Sequence, residues 1–448
     1  MGGLRGPLPR LRSQCPLDGE MATHGADLQA MTRPAKGMFR AADGRNYVTA
    51  FILVASLFFL WGVAHSILDV LNKHFQDVLV ISKARSALVQ AMVYGGYFLM
   101  AIPAGMIIRR WGYRTGIVTG LLLYGIGALL FIPGGQLMSF PFFLFSLFVI
   151  GCGLTCLETS ANPYVTLLGE KRSAAGRLNL AQALNGLGWM VGPMIGGLFI
   201  LGEDGGNISL PYAAIGFIVI LLGVVFSRLH LPSPDEQNTG IDAMIVATES
   251  STPLWQIRTF RYGVVALLLY VAAQTGINSF FINYVLETDA LLSPSKAAMM
   301  LSVGGMGLFM AGRLLGSLLL KSVTPARLIA ICSLGATLCM AFTLLLHGTA
   351  GIVALCLTYA FESVMFPTIF SMALVDVTGS HTKTASSYLV MSIVGGAIAP
   401  VLMGLLGENN MAIGFLIPLA CFMGIMAYSF SYKRLRSGKR QGNSPHGE

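Results

Sequence analysis

Charge is what this sequence has least of. Of its 448 residues only 11% are Asp, Glu, Lys or Arg, and the mean hydropathy is +0.70, against about 25% charged in soluble globular domains. That shortage excludes a water-soluble domain and leaves a polytopic membrane protein. Metal ligands are also sparse. Seven histidines are scattered, and of the seven cysteines four form the close pairs Cys152 and Cys156, and Cys332 and Cys339, with no His or acidic neighbours at ligand spacing. They read as small apolar packers, so no metal and no cofactor is expected. There is no G-x-S-x-G motif and no His-rich box, which leaves an enzyme without a nucleophile and base. Residues 1–46 contain no apolar core of signal-peptide length. Rich in Gly, Pro and Arg, they read as a disordered cytoplasmic tail in which Met21, Met31 or Met38 could be the start. Gly6 stands where a myristoylation signal needs Ser or Thr. Residues 433–448 are too short for the soluble tail a non-transporting sensor would carry.

What is present is a succession of long apolar runs. Twelve spans are expected, near 48–71, 85–108, 114–133, 139–166, 178–201, 211–230, 261–286, 296–320, 326–346, 351–375, 384–406 and 411–431. Each holds the ~20 apolar residues that cross the hydrocarbon core. The net charge of +9 is spread through short connections, which makes it a topology signal and not a nucleic-acid surface. Lys and Arg gather in both tails and in the even-numbered connections, as at Arg109, Arg110 and Arg114. The odd-numbered connections hold only Lys73, Lys83, Arg85 and Lys296. Both termini are therefore expected on the cytoplasmic side. The longest connection is polar and acidic, and it divides the chain into a bundle over 47–231, a linker over 232–258 and a second bundle over 259–432. An internal repeat supports the division. Glu158 lies five residues before Pro163, and Glu362 five before Pro367. AGMIIRRWG at Ala104 aligns with AGRLLGSLL at Ala311, and GLGWMVGP with GGAIAP, the prolines being Pro193 and Pro400. Three pairs in order at nearly one offset indicate two six-helix copies of the same topology, a transporter design with substrate between the halves.

The polar residues inside these spans are the candidate machinery. Glu158 sits deep in an apolar run that meets no other charge between Phe140 and Glu170. A charge at mid-bilayer costs ~2.5–3.5 kcal/mol even on lenient scales, so such residues usually face a bundle interior or a watery cavity and serve transport. Trp61, His65 and Asp69 follow at i, i+4 and i+8 on one helix face, with Asp69 nearer the outer end. Two carboxyls at different depths can hand on a proton, because an apolar surrounding favours the neutral form and a watery one the ion. Asn162, one turn beyond Glu158, and Asn179, Gln182 and Asn185 offer amides that both donate and accept, which suits sugar hydroxyls; they could equally bond neighbouring helices. Gln274, the repeat counterpart of Asp69, shares a face with Asn278, and Phe280, Phe281 and Tyr284 nearby either present ring faces to a sugar or pack. Glu362 is a further buried acid, expected to act as another coupling group or to pair with Arg313. Gly192 and Gly196 stand at a spacing that lets helices approach closely.

FFLWGVAHSILDVLNKHFQ, GYFLMAIPAGMIIRRWGYRTGI, GLTCLETSANPYVTLLG, RLNLAQALNGLGWMVGP, YVAAQTGINSFFINYV and FPTIFSMAL resemble the fucose, galactose and glucose proton symporters of the major facilitator superfamily. The likeness runs from about residue 48 to 432. It implies an all-α fold of twelve helices in two pseudo-symmetric bundles, alternating access, and uptake of a sugar with a proton across the inner membrane, by a chain that acts as a monomer among lipids. It places the family's essential carboxylates on Asp69 and Glu158, its sugar-contacting asparagine on Asn185, the nearby glutamine on Gln182, the first-helix tryptophan on Trp61 and a binding glutamine on Gln274. Ser66 and Leu68 replace asparagines of the family pattern, and Glu362 and Asp376 add acids to it. The reading is a symporter of an L-fucose-like or related hexose; the alternative is a proton-coupled antiporter of another small molecule, or a glucose/galactose or N-acetylglucosamine importer of the same family.

Overall fold

A computed structural model describes residues 39, 46–168, 174–201, 208–229, 253–320, 322–346, 348–377, 385 and 388–437. Most of the N-terminal tail, Met21, Met31 and Met38 with it, and the centre of the 232–258 linker lie outside the described residues, as does the Asn179 side chain. The chain is almost wholly helical. The first bundle holds α1 (Val48–Leu79), the long helix Leu88–Leu129, which comprises α2 (88–111) and α3 (113–129), then α4 (Phe140–Leu167), α5 (Ala174–Phe199) and α6 (Ser209–Arg228). The second holds α7 (Arg258–Thr288), α8 (Pro294–Met299 continuing to Gly307–Leu319), α9 (Pro325–Leu345), α10 (Thr349–Glu362 and Met365–Leu374), α11 (Gly395–Leu406) and α12 (Leu416–Ser437). The last helix runs past the expected end at 432, so Lys433, Arg434 and Arg436 ride on its final turns.

Ten stretches are long and apolar enough to cross a membrane, and one of them, Lys83–Leu137, is 55 residues long. At ~1.5 Å per residue that stretch is more than twice the ~30 Å hydrocarbon thickness. Gly112 resolves this. Its φ of 80° and ψ of 170° interrupt the helix, a backbone that costs glycine little and any other residue much. The stretch thus makes two passes, α2 and α3, and with α5 the passes number twelve.

The packing repeats as the sequence does. In the first bundle α1 lies on α5, α2 on α4, and α3 on α6; in the second α7 lies on α11, α8 on α10, and α9 on α12. Between bundles α1 meets α7, α2 meets α11 and α5 meets α8, the pattern a pseudo-two-fold axis requires, since it exchanges the last two pairs and maps the first onto itself. The axis is visible in single bonds. The Asn72 amide donates to the Ser279 carbonyl at 2.6 Å, and the Asn283 amide to Gln76 Oε1 at 2.6 Å. Each partner is 207 positions from the other, the offset of the repeat itself.

The seam between α1 and α5 is set by glycine. A Cβ on Gly62 would land on the Asn185 carbonyl, one on Gly188 on the Phe59 carbonyl, and one on Gly192 on the Ser66 hydroxyl, while Gly196 faces the Val70 side chain. Gly188, Gly192 and Gly196 thus form a flat stripe along one face of α5 into which α1 fits. Gly192→Val is expected to destabilise the protein by about 1–3 kcal/mol through overpacking, read as a lower thermal midpoint in detergent. Gly186→Ala, whose added carbon meets nothing within 4 Å, should leave the midpoint in place.

Candidate functional site

The first bundle closes a ring of polar and aromatic side chains around Glu158. Its carboxyl stands beside the Tyr97 hydroxyl of α2. That hydroxyl accepts from Trp61 Nε1 at 3.0 Å and lies 2.9 Å from His65 Nε2, both on α1. One turn along α4 from Glu158, Asn162 Oδ1 accepts from the Gln182 amide of α5 at 3.2 Å. One turn further on α5, the Asn185 amide donates to the Phe58 carbonyl of α1 at 2.9 Å. The Phe58 ring then lies 5.9 Å from Trp61, which completes the circuit through α1, α2, α4 and α5. Trp189 of α5 stacks on His65 at 5.7 Å and 19°, and Tyr94 tilts against it at 6.0 Å.

Exposure shows which members of the ring face open space. Glu158, Asn162, Gln182, Trp61 and Trp189 are half-buried, whereas His65 and Asn185 are buried. Glu158 is thus half-buried among packed helices, with its carboxyl against the Tyr97 hydroxyl. Asn185, read from the sequence as a hydroxyl binder, commits one amide hydrogen to pinning α5 on α1, so its role in shaping the site is at least partly structural.

Asp69 sits one to two helical turns from the Trp61–His65 level, toward the far end of α1. It is 2% exposed; one carboxyl oxygen accepts from Gln90 Nε2 at 2.9 Å and the other has no partner. Gln90, on α2, was not singled out from the sequence, and its only signal there is that it is a lone amide in an apolar span. Asn72 and Gln76 were missed too, although they continue the Trp61, His65, Asp69 stripe at helical spacing and form the inter-bundle seam just beyond Asp69.

The second bundle contributes less than the sequence suggests. Asn278 is buried with Oδ1 unpartnered, whereas Gln274 is half-buried, so it can meet a ligand between the halves. Phe280, Phe281 and Tyr284 cannot. All three are buried; Phe281 packs against Tyr359, and the Tyr284 hydroxyl donates to the Thr343 carbonyl at 2.8 Å. The aromatic face open to a ligand is instead Trp61 and Trp189 of the first bundle. Glu362 is fully buried, and the pairing with Arg313 is not formed. Pro367 has no N–H for the carbonyl four residues back, Ser363; Arg313 Nε fills that carbonyl at 3.3 Å while the guanidinium lies 4.7 Å over the Phe309 ring. Asp376, the other additional acid, accepts from Thr259 at 3.0 Å. Among the described residues no cluster of His, Cys, Asp and Glu could hold a metal ion.

Among the described residues, the bonds between the two bundles gather toward one end. Besides the Asn72 and Gln76 bonds, Thr275 reaches the Tyr94 hydroxyl at 3.2 Å and Ser302 the Met190 carbonyl at 2.5 Å. Beyond them Lys83, in the connection after α1, donates to Glu287 Oε1, to the Gly407 carbonyl at 2.7 Å and to the Glu408 carbonyl at 2.9 Å. Glu287 Oε2 accepts from the Met411 amide at 2.7 Å. The Lys83, Glu287, Asn72 and Gln76 contacts lie toward the helix ends remote from both termini and the central linker, and the Thr275–Tyr94 and Ser302–Met190 bonds lie nearer mid-helix, so the described contacts close the molecule on that side.

The profile of the Major Facilitator Superfamily matches residues 48–400. The chain is 35% identical over 422 residues to the L-fucose-proton symporter of Escherichia coli (strain K12), which covers 89% of this chain and 95% of that one. It is 33% identical over 394 residues to the glucose/galactose transporter of Brucella abortus biovar 1 (strain 9-941), covering 86% and 94%. A crystal structure of the transporter FucP in the outward conformation superposes with a TM-score of 0.64 at 34% identity, over 87% of this chain and 99% of that one.

Proposed function

Because this chain belongs to the Major Facilitator Superfamily, we propose that it is a proton-coupled sugar symporter, importing an L-fucose-like or related hexose by alternating access. One observation carries the reading: a half-buried carboxyl, Glu158, inside a ring of amides and indoles. The amides of Asn162, Gln182 and Gln274 present donors and acceptors to hydroxyls, and Trp61 and Trp189 present ring faces to the C–H side of a pyranose. Asn185 holds α5 on α1 and keeps that ring in register. Asp69 and Glu158 set the protonation state. The names of the relatives, one an L-fucose-proton symporter and one a glucose/galactose transporter, support the same class of cargo.

The loop charges put both termini in the cytoplasm of a bacterial inner membrane, and the protein works as a monomer in lipid. On that sidedness the fastened end is the outer one, and the structure is the outward-closed half of the cycle. Proteoliposomes with an acidic exterior should concentrate one of radiolabelled L-fucose, D-galactose, D-glucose or N-acetylglucosamine, with competition among the four ranking them, and a protonophore should abolish the gradient. Acid-driven export of a lipophilic cation with no sugar uptake would overturn the reading in favour of an antiporter.

A further inference from the structure

The repeat that places Glu158 in the first bundle places Glu362 in the second, each five residues before a helix proline. Their settings differ in one respect. Glu158 is half-buried with the Tyr97 hydroxyl beside it, whereas Glu362 is 0% exposed with neither carboxyl oxygen partnered. An ion so placed would carry a desolvation penalty of several kcal/mol with nothing to offset it, so Glu362 holds its proton in this conformation.

Three features show that this acid can also let its proton go. First, the helical hydrogen-bond ladder is interrupted beside it: Thr349–Glu362 ends there and Met365–Leu374 begins three residues later, while Ser363 and Val364 stay in the right-handed helical region. Second, a cation is parked one residue away. Arg313 of α8 is half-buried and is held by a single bond to the Ser363 carbonyl that Pro367 leaves free. Third, the groups around Glu362 reach across the bundle seam. The Tyr359 hydroxyl on its own helix, buried and unpartnered, feels both Glu362 and Asp69 of α1. The Tyr270 hydroxyl of α7, likewise unpartnered, feels Glu362, Arg313 and Tyr94 of α2. Arg313 is the cation that shares the Tyr270 hydroxyl with Glu362.

Building on the symport reading above, we propose that Glu362 is a second proton-carrying carboxyl, seated in the C-terminal bundle, protonated in this conformation and ionised when Arg313 leaves the Ser363 carbonyl to pair with it. The O–H bond of the carboxyl breaks, the proton passes to water on the side to which the bundles open, and the guanidinium balances the carboxylate left behind. One proton then travels with Glu158 and another with Glu362.

The test is the steady-state accumulation of sugar in proteoliposomes against an imposed pH gradient, with the membrane potential clamped at zero. Radiolabelled L-fucose is the probe, with D-galactose and D-glucose run alongside. Each coupled proton contributes about tenfold per pH unit. The wild type should therefore approach about a hundredfold per unit, and Glu362→Gln, fixed in the neutral form, about tenfold. Arg313→Gln, which removes the cation the ion needs, should also give about tenfold, and it answers the question if Glu362→Gln does not fold; sugar counterflow reports folding in both. A wild type at tenfold per unit, or a Glu362→Gln protein still at a hundredfold, overturns this inference while leaving symport intact. A wild type that concentrates no sugar overturns the symport reading itself.

Discussion

Glu158→Gln should lower the sugar accumulated across a one-unit pH gradient by about tenfold, while sugar exchange at equal pH survives. The reasoning is one of linkage. A glutamine keeps the shape and the hydrogen-bonding capacity of the protonated acid beside Tyr97, so the ring through Asn162, Gln182 and Trp61 can still hold a sugar. It has no proton to lose, so the force that a pH gradient exerts through this carboxyl disappears. The double variant Glu158→Gln with Glu362→Gln should equilibrate sugar without concentrating it. The measurement is the ratio of internal to external radiolabelled sugar at steady state in proteoliposomes. A Glu158→Gln protein that accumulates sugar as the wild type does would remove this carboxyl from the mechanism.

The second large effect concerns the fastened end. Lys83 holds Glu287 and the carbonyls of Gly407 and Glu408, and so ties the connection after α1 to two elements of the other bundle. Its side chain is 12% exposed and that of Glu287 35%, which leaves the pair partly screened. Discounting for that, Lys83→Ala should cost the closed state about 1.5 kcal/mol and shift the population roughly tenfold toward the open one. Labels at Val80 and Leu291, which are 88% and 94% exposed beyond the ends of α1 and α7, report the opening. Their separation, measured by electron spin resonance in lipid, should gain a longer component in the variant, and Glu287→Gln should do the same more weakly. An unchanged distribution in both would show that the Asn72 and Gln76 bonds on the pseudo-axis close this end without help.

The sequence by itself determined the class of molecule, the number of passes and the repeat, and it singled out the candidate acids. Charge in a bilayer is costly enough that a lone Glu158, or an Asp69 at helical spacing from Trp61 and His65, stands out without any coordinates. A 207-residue offset likewise needs only counting, and it returned in the structure as the bonds between Asn72 and Ser279 and between Gln76 and Asn283. Only the tertiary structure decided the partners. That Asn185 pins α1, that Phe280 and Phe281 are packed while Trp189 is open, and that Arg313 bonds Ser363 and not Glu362 depend on which faces of helices far apart in sequence meet. Periodicity places a side chain on a face of its own helix. What lies across from that face is fixed by how closely glycines such as Gly188 and Gly192 let two helices approach, and by which carbonyls a proline leaves to be filled.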